Sequence, residues 1–292
     1  MTDSPVKDRT VVVTGAARGI GAALADALAR RGARLALLDH DGPALEATAA
    51  ALPGTAVAVT LDVTDADALE EAAEEIRGRL GRPSVVVANA GIAEGGPFAL
   101  TDPVTWRRVI DVNLVGSALT ARAFLPDLLR TAGYHLQIAS LASIGAAPLM
   151  GAYCASKAGV EAFTHSLRAE TAHHGVAVGI AYLGWIDTDL IRDADRHAAL
   201  RELRTHMPPP ADRVHPTATA TARLTRAVER RSTAVYIPRW LRLAQMARAA
   251  IPPLVLRASR HHLPRLEAEE PLLPTGLLGA GGHADRTTAT GR

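Results

Sequence analysis

Short apolar runs rich in Val, Leu and Ala alternate with longer Ala/Leu-rich stretches along most of this chain. The runs predict β-strands, and the stretches between them predict helices. The predicted strands are Thr10–Thr14, Arg34–Leu38, Ala56–Leu61, Ser84–Ala88, Tyr134–Ala139, Val176–Tyr182 and Thr233–Ile237. Apolar strands separated by helices are typical of a parallel sheet that is covered on both faces. The sequence therefore predicts an α/β fold, a single doubly wound domain with a seven-stranded parallel sheet.

The chain has 292 residues, of which 48% are hydrophobic, enough for one large domain with a substantial core. We place that domain at residues 6–240, and a basic C-terminal extension at residues 241–292. Residues 184–216 form a long, charged excursion after the sixth predicted strand. Ligands bind at the carboxyl ends of such strands, so the excursion predicts a substrate lid. An ordinary surface loop is the alternative.

The extension has an unusual charge pattern, because residues 239–265 carry six Arg and no Asp or Glu. Its prolines are expected to break any helix, and the Gly-rich end from about Gly276 is expected to be disordered. An apolar stripe begins at Trp240 and Leu243. Such a segment can pack on the protein or on a partner subunit, or lie on an anionic membrane. We favour packing or an oligomer contact.

Several functional classes find no support in the composition. The net charge is only +2, so we expect no nucleic-acid partner. The single cysteine, Cys154, excludes an intrachain disulfide framework and a multi-cysteine zinc site. The paired histidines lack metal-ligand spacing, so no metal is expected. Residues 1–9 have no apolar segment typical of a secretory signal, and we expect a cytoplasmic protein.

A glycine-rich segment, Thr14-Gly-Ala-Ala-Arg-Gly-Ile-Gly21, lies between the first strand and the first helix. Glycines let the backbone turn tightly there and approach a phosphate. The helix N-terminus adds free N–H donors and the positive end of a dipole. The segment predicts a dinucleotide site.

Asp39 ends the second predicted strand, where a carboxylate can accept hydrogen bonds from the adenosine ribose. Its charge would repel a 2′-phosphate, so it favours NAD over NADP. Arg18 is the counter-argument, because a cation near the ribose could partly offset that phosphate.

These motifs resemble the short-chain dehydrogenase/reductase family, in its short single-domain branch with a Rossmann-like fold, over about residues 6–240. The resemblance rests on the TGxxxGxG spacing, on Asn89-Ala-Gly91, on Asn113 and on Tyr153-Cys-Ala-Ser-Lys157. It implies a catalytic group of Asn113, Ser140, Tyr153 and Lys157. It implies a cofactor site of Thr14, Gly15, Arg18, Gly19, Ile20, Gly21, Asp39, Asp62, Val63, Asn89, Ala90, Gly91, Tyr153, Lys157, Gly184 and Thr188.

Proton chemistry supports the pairing of Tyr153 with Lys157 independently. The two residues are four apart on a predicted helix, so they share a face. A free tyrosine has a pKa of about 10, and an adjacent ammonium is expected to lower that pKa by stabilising the phenolate. Tyr153 would then exchange a proton with the substrate oxygen while Ser140 holds that oxygen. By the resemblance, Asn113 would hold a water that links Lys157 to solvent.

Some positions near these motifs are ambiguous. Leu183 stands where the family usually has a proline, and Thr188 would bind the nicotinamide carboxamide. Trp185 is either a pocket wall or a packing residue. Ser143 either assists the substrate or caps its loop. Cys154 adjoins Tyr153 but is expected to belong to the core or to the pocket wall.

The resemblance implies an NAD(P)-dependent oxidoreductase that interconverts a secondary alcohol and a ketone, and NAD is the favoured cofactor. It also implies a homodimer or a homotetramer. The alternatives are a membrane-surface enzyme with a lipophilic substrate, and a non-catalytic NAD(P)-binding sensor or scaffold. The substrate pocket is expected to draw on residues 92–98, 141–150 and 185–204.

Overall fold

The computed structural model describes residues 4–290, with the backbone alone for residues 286–290. Its strands are β1 (Thr10–Thr14), β2 (Arg34–Asp39), β3 (Ala56–Thr60), β4 (Pro83–Ala88), β5 (Glu94–Gly95), β6 (Tyr134–Ser140), β7 (Ala177–Leu183), β8 (Ala234–Ile237) and β9 (Gly276–Leu277). Its helices are α1 (Gly19–Ala29), α2 (Gly42–Ala51), α3 (Ala66–Leu80), α4 (Pro103–Ile110), α5 (Gly116–Thr131), α6 (Gly151–Thr171), α7 (Asp189–Ala194), α8 (Ala198–Thr205), α9 (Thr217–Arg230), α10 (Leu241–Met246), α11 (Ile251–Glu269) and α12 (Gly279–Thr290).

The main sheet has seven parallel strands in the order β3-β2-β1-β4-β6-β7-β8, which confirms the predicted fold class. The strand order reverses between β1 and β4, because the chain builds outward from β1 to β3 and then crosses back. The loops after β1 and β4 diverge there, and open sheets of this kind bind ligands in that crevice.

The two faces of the sheet bury separate apolar layers, because alternate side chains of a strand point to opposite faces. Val11 and Val13 of β1 pack against Leu24 and Leu28 of α1. Val12 belongs to the other layer, with side chains from α3 and α5. This covering on both sides explains why the strands are apolar throughout.

A π-helical turn, Asp111–Val115, joins α4 to α5 and makes one continuous helical segment. The segment Pro103–Thr131 is long and apolar enough to pass a length-and-composition test for a membrane span. Its α5 part packs against β4 and α3, and this core position accounts for the apolar composition.

The excursion after β7 contains α7 and α8, and its two ends are held together. The N–H of Asp187 donates to the carbonyl of His215 over 2.9 Å, and the N–H of His215 donates to the carbonyl of Trp185 over 2.8 Å. Leu200 of α8 packs beside Gly95, where an added Cβ would lie 2.7 Å from its Cδ1 atom. The excursion is thus closed at its base and lies against the loop after β4.

The C-terminal extension differs from the sequence prediction in two respects. Pro252 and Pro253 do not break a helix, because both lie in the first turn of α11, where no backbone N–H is required. The third proline, Pro264, lies inside α11.

The end of the extension was expected to be disordered from Gly276, and this is wrong over the described residues. Leu277 and Leu278 are buried, and β9 pairs with β5 in an antiparallel ladder. α12 packs against α7. Composition alone missed these contacts because the segment is ordered by docking on the rest of the protein. Residues 291–292 of the predicted disordered end lie outside the described residues.

Candidate active site

A cleft lies at the carboxyl ends of β1, β2 and β4, at the point where the strand order reverses. Most of the predicted cofactor residues line it: Gly15, Arg18, Gly19, Ile20, Asp39, Asp62, Val63, Asn89, Ala90, Gly91 and Thr188. Thr14, Gly21, Tyr153, Lys157 and Gly184 are not among its lining residues. The cleft therefore collects residues that lie far apart in the sequence along one edge of the sheet.

The glycine segment has the shape that a pyrophosphate requires. An added Cβ on Gly21 would lie 2.1 Å from the Gly15 carbonyl oxygen, so only glycine allows this close approach of helix to loop. Gly19 has φ +58° and faces open space, with Thr188 Cγ2 at 3.8 Å as its nearest neighbour. α1 begins there without a side-chain cap. Its first N–H groups are therefore available to a phosphate, and the site fits a dinucleotide.

Thr14 and Asn89 tie the two loops of the cleft together. The Thr14 Oγ1 atom accepts from the N–H of Asn89 at 3.0 Å and from that of Ala90 at 3.1 Å. The Asn89 side-chain amide donates to the carbonyls of Thr14 and Gly15, both at 3.0 Å. Thr14 is buried, so it positions the cofactor loops instead of facing the cleft.

Asp39 is held as an anion at the end of β2. Its carboxylate accepts from the N–H of Ala17 at 3.0 Å and from that of Asp41 at 3.1 Å, and His40 Nδ1 lies 3.3 Å away. Burial raises the pKa of Asp39, but the hydrogen bonds from His40 and the two backbone groups outweigh it and leave the pKa below its usual value. Arg18 forms an ion pair with Asp41, so its charge is already engaged.

The far end of the cleft is closed by residues that the sequence analysis did not identify. Arg108 Nη2 lies 2.6 Å from Asp62 Oδ2, and Arg108 Nε donates to both carboxylate oxygens of Asp285 at 2.9 and 3.0 Å. The N–H of Gly279 donates to Asp193 Oδ2 at 2.7 Å. Residues 278–282 and Asp285 line the cleft, and we call residues 278–285 the C-terminal wall. The adjacent apolar pair Leu277-Leu278 was the one sequence signal for it.

Asn113 lies fully buried in the π-helical turn between α4 and α5. Its amide nitrogen donates to the Ile92 carbonyl at 2.9 Å, and its side-chain oxygen accepts from the Ile92 N–H at 2.8 Å. Gly91 lies directly beside it, since an added Cβ there would lie 3.2 Å from Asn113 Oδ1 and 3.4 Å from Lys157 Nζ. Asn113 and Lys157 are thus brought together behind the cleft.

Ser140, Tyr153 and Lys157 come together where β6 meets α6. The Ser140 side chain lies close enough to the Tyr153 hydroxyl to lower its pKa. Lys157 Nζ lies 5.7 Å from the centroid of the Tyr153 ring and donates to the Ile138 carbonyl at 3.4 Å. The three side chains predicted from their spacing therefore occupy one site.

The electrostatics of this site differ from the sequence expectation. Burial raises the pKa of Tyr153 to about 12, although the nearby Ser140 side chain opposes the rise. Burial also lowers the pKa of Lys157 to about 8. The expected lowering of the tyrosine pKa is therefore wrong for this state, because desolvation dominates while the ammonium is directed at a carbonyl. Tyr153 is protonated at neutral pH.

The ambiguous positions near the site are now located. The Ser143 hydroxyl accepts weakly from the Ser140 N–H at 3.3 Å, as a loop cap does. Arg248 of the extension donates to the Ser143 carbonyl at 3.2 Å, so the extension braces the same turn. Cys154 is half-buried in an apolar cluster. Trp185 is half-buried outside the cleft lining.

Comparison with known proteins agrees with this geometry. Residues 9–199 match the family model described as short chain dehydrogenase. The chain is 38% identical over 196 residues to the probable oxidoreductase EphD of Mycobacterium tuberculosis, covering 65% of this chain and 33% of that protein. It thus spans about a third of EphD. It is 35% identical over 204 residues to the acetoacetyl-CoA reductase of Synechocystis, covering 68% of this chain and 81% of that one.

The fold comparison leads to the same family. The crystal structure of levodione reductase superposes with a TM-score of 0.73 and 25% identity, covering 79% of this chain and 96% of that one. Members of this family bind NAD(P) and act on small molecules. The chain belongs to the short-chain dehydrogenase family.

Proposed function

We propose that this enzyme interconverts a secondary alcohol and a ketone, with Tyr153 as general acid and base. The main observation behind this proposal is that Ser140, Tyr153 and Lys157 come together beside Gly91, which lines a cleft that fits a dinucleotide. Bound nicotinamide would supply or accept the hydride. The Ser140 hydroxyl orients the substrate oxygen, and Tyr153 gives its proton to that oxygen during reduction or takes one during oxidation.

Lys157 and Asn113 support this proton transfer. The Lys157 ammonium lies under the tyrosine ring, so it stabilises negative charge that develops on the phenol oxygen. Asn113 fixes the backbone of Ile92 beside Gly91, and with it the wall between Lys157 and the cleft. We propose that it also holds a water that connects Lys157 to solvent.

The decisive experiment is the substitution Tyr153→Phe, assayed by absorbance of reduced nicotinamide over a panel of ketones and secondary alcohols. Loss of the proton donor should lower kcat by about 10²–10⁴-fold. Tyr236→Phe is the matched control, because Tyr236 stacks on Tyr182 in the core and belongs to no part of the cleft lining. Full activity in the Tyr153→Phe variant would refute the proposal.

We further propose that NAD is the preferred cofactor. Support comes from the anionic Asp39 in the cleft and from the engagement of Arg18 by Asp41. Three more expectations remain proposals: residues 184–216 act as a substrate lid, the chain forms a homodimer or homotetramer, and it resides in the cytoplasm. Sedimentation of the purified enzyme tests the second of these.

A second candidate, a membrane-surface enzyme for a lipophilic substrate, is favoured by one observation. α11 buries none of its residues, and it carries exposed Leu254 and Leu256 among arginines. Flotation with anionic vesicles tests it, comparing the intact chain with the double variant Leu254→Glu/Leu256→Glu. Equal recovery of both proteins with the vesicles would remove this candidate.

A further inference from the structure

A buried carboxylate lies directly beside the first turn of the helix that carries Tyr153. Glu94 is 3% exposed and belongs to β5, which follows the loop after β4. Its Oε1 atom accepts from the N–H of Ala152 at 3.0 Å. The backbone of the next residue, Tyr153, lowers the pKa of the same carboxylate. A side chain from another element is therefore bonded to the backbone of the residue directly before the proposed acid.

This contact supplies what α6 lacks in its own sequence. Met150 precedes the helix without a side-chain cap, and the first turn carries no acidic residue. The first N–H groups of a helix have no partner inside the helix, and a carboxylate there also interacts favourably with the helix dipole. Glu94 fills both roles from a strand that lies far away in the sequence.

Glu94 is more costly than a simple cap would need to be. Its second oxygen, Oε2, is buried without a hydrogen-bond partner. An apolar cluster that includes Ala93, Met150 and Leu278 borders it, and burial raises the pKa of Glu94. A half-satisfied buried carboxylate is unfavourable, so a neutral cap would stabilise the fold better. The presence of a charged residue at position 94 is therefore better explained by an effect on Tyr153 in the neighbouring site.

The negative charge of Glu94 acts on two ionisable groups of α6, Tyr153 and Cys154, and raises the pKa of both. Among the other elements packed against β5, Leu277 of β9 and Leu200 of α8 carry no charge. α4 also packs there and carries Arg107 and Arg108, which pair with other carboxylates. In the described part of the chain, no cation is bonded to Glu94.

The backbone of β5 is fixed from the opposite side as well. The N–H of Gly95 donates to Thr275 Oγ1 at 2.9 Å, and the Gly95 carbonyl accepts from the Thr275 N–H at 2.8 Å. Glu94 therefore has little freedom to leave the helix terminus. β5 therefore connects the C-terminal segment, through its backbone, to the turn that holds Tyr153, through the Glu94 carboxylate.

We propose that Glu94 is a positioning residue for Tyr153: its carboxylate fixes the first turn of α6, and its negative charge keeps the tyrosine hydroxyl protonated until the hydroxyl meets a developing alkoxide. This inference rests on the proposed role of Tyr153. It predicts that the enzyme is biased towards proton donation, the direction that carbonyl reduction requires.

Two substitutions in the full chain separate anchoring from charge. Glu94→Gln keeps an oxygen acceptor for Ala152 and removes the charge. Glu94→Leu removes both. With a substrate found in the panel, kcat and KM are measured in both directions against pH. We expect Glu94→Gln to shift the acidic limb of alcohol oxidation, where protonated Tyr153 cannot accept the substrate proton, to lower pH by about one pH unit with KM unchanged. Glu94→Leu should lose about 10–100-fold in kcat, because a slightly misplaced reactive group is costly.

Asp127→Asn is the matched control, since Asp127 is equally buried (1% exposed) but pairs with Arg77 and Arg82 away from the cleft. Its pH profile should match the wild type. A Glu94→Gln profile that superimposes on the wild type overturns the proposal, whether or not Glu94→Leu folds. The same holds for a Glu94→Leu enzyme with the wild-type kcat. Tyr153→Phe is assayed alongside: if it is active, the proposed function itself fails, whereas an inactive Tyr153→Phe confines the failure to Glu94.

Discussion

At the residue scale, two aspartates near the end of β2 have different roles in the proposed cofactor preference. Asp39 presents its charge to the cleft, and Asp41 engages Arg18. The sequence showed Asp39 and Arg18 as opposing signals, because a linear pattern does not reveal which carboxylate an arginine will meet. In the structure Arg18 pairs with Asp41, and this pairing supports the proposed preference for NAD.

Asp41→Asn should therefore raise the use of NADP. Without its partner, Arg18 becomes free to bind a 2′-phosphate, and a hydrogen bond between charged groups contributes about 1.5–3 kcal/mol. We expect the ratio of kcat/KM for NADP to that for NAD to rise by at least about tenfold. Asp26→Asn, which breaks an exposed pair with Arg30 on α1, is the control. An unchanged ratio, or a wild-type enzyme that already prefers NADP, would contradict this assignment.

The burial of Lys157 in the active site lowers the stability of the fold. Burial lowers its pKa from 10.5 to about 8, so between these pH values the unfolded chain binds more protons than the folded protein. The charged lysine therefore destabilises the fold below about pH 8, and this penalty disappears as the pH rises through 10.5.

Lys157→Met should accordingly be more stable than the wild type at pH 7, by up to about 3 kcal/mol, while its activity is lost. The gain should shrink towards pH 10, where the folded lysine is neutral, and it should vanish above about pH 10.5, where the lysine is neutral in both states. Urea unfolding at the two pH values measures it. A variant that is less stable at pH 7, or equally stabilised at both pH values, would show that burial of this charge is not the cause.

At the element scale, the C-terminal wall is the part of the cleft that a local pattern could not predict. β9 has two residues and α12 begins with a glycine-rich stretch, so neither has a strong propensity of its own. Both form because Leu277 and Leu278 are buried and because Arg108 pairs with Asp285. By contrast, β1 has its predicted bounds, Thr10–Thr14, since its apolar pattern is local.

Asp285→Asn should loosen this wall and weaken the hold on the cofactor. The pair with Arg108 is partly buried, and its loss leaves Arg108 with Asp62 and the Thr64 hydroxyl. We expect the Kd for the cofactor to rise about three- to tenfold, mainly through faster dissociation. Titration calorimetry measures the Kd, with Asp67→Asn on the exposed start of α3 as control. An unchanged Kd would mean that the wall lies against the cleft without contributing to binding.

At the scale of the whole molecule, α11 is the least supported part of the extension. It buries no residue, although the elements before and after it, α10 and β9, are both anchored by buried leucines. Segments with few buried contacts open locally at low cost in free energy. We therefore expect a protease to cleave the chain within α11, and we expect the two fragments to stay bound to each other.

Limited trypsin digestion should cleave after Arg257, Arg260 or Arg265 and leave the C-terminal fragment bound to the rest of the protein. The pairing of β5 with β9 and the packing of α12 on α7 should hold it. Size-exclusion chromatography followed by mass spectrometry detects both pieces in one peak. Separation of the fragment under native conditions would show that these contacts are too weak to retain the wall.

The sequence predicted the sheet and the glycine segment because both are encoded by short-range patterns, and the resemblance to a family implied the proposed catalytic residues. It missed Glu94, Arg108 and Asp285, because a single charged residue has no period and its role depends on a partner far along the chain. It also misjudged the pKa of Tyr153, since desolvation by neighbouring elements cannot be inferred from a four-residue interval.

The position of the C-terminal wall also has a consequence for biosynthesis. The glycine segment leaves the ribosome early, and the wall that faces it across the cleft is translated only after the whole sheet. A nascent chain can therefore fold its sheet and expose a phosphate-binding loop while the opposite side is still open. We therefore expect tight retention of the dinucleotide only after residues 278–285 have emerged from the ribosome, which would separate the acquisition of the fold from the acquisition of a closed cofactor site.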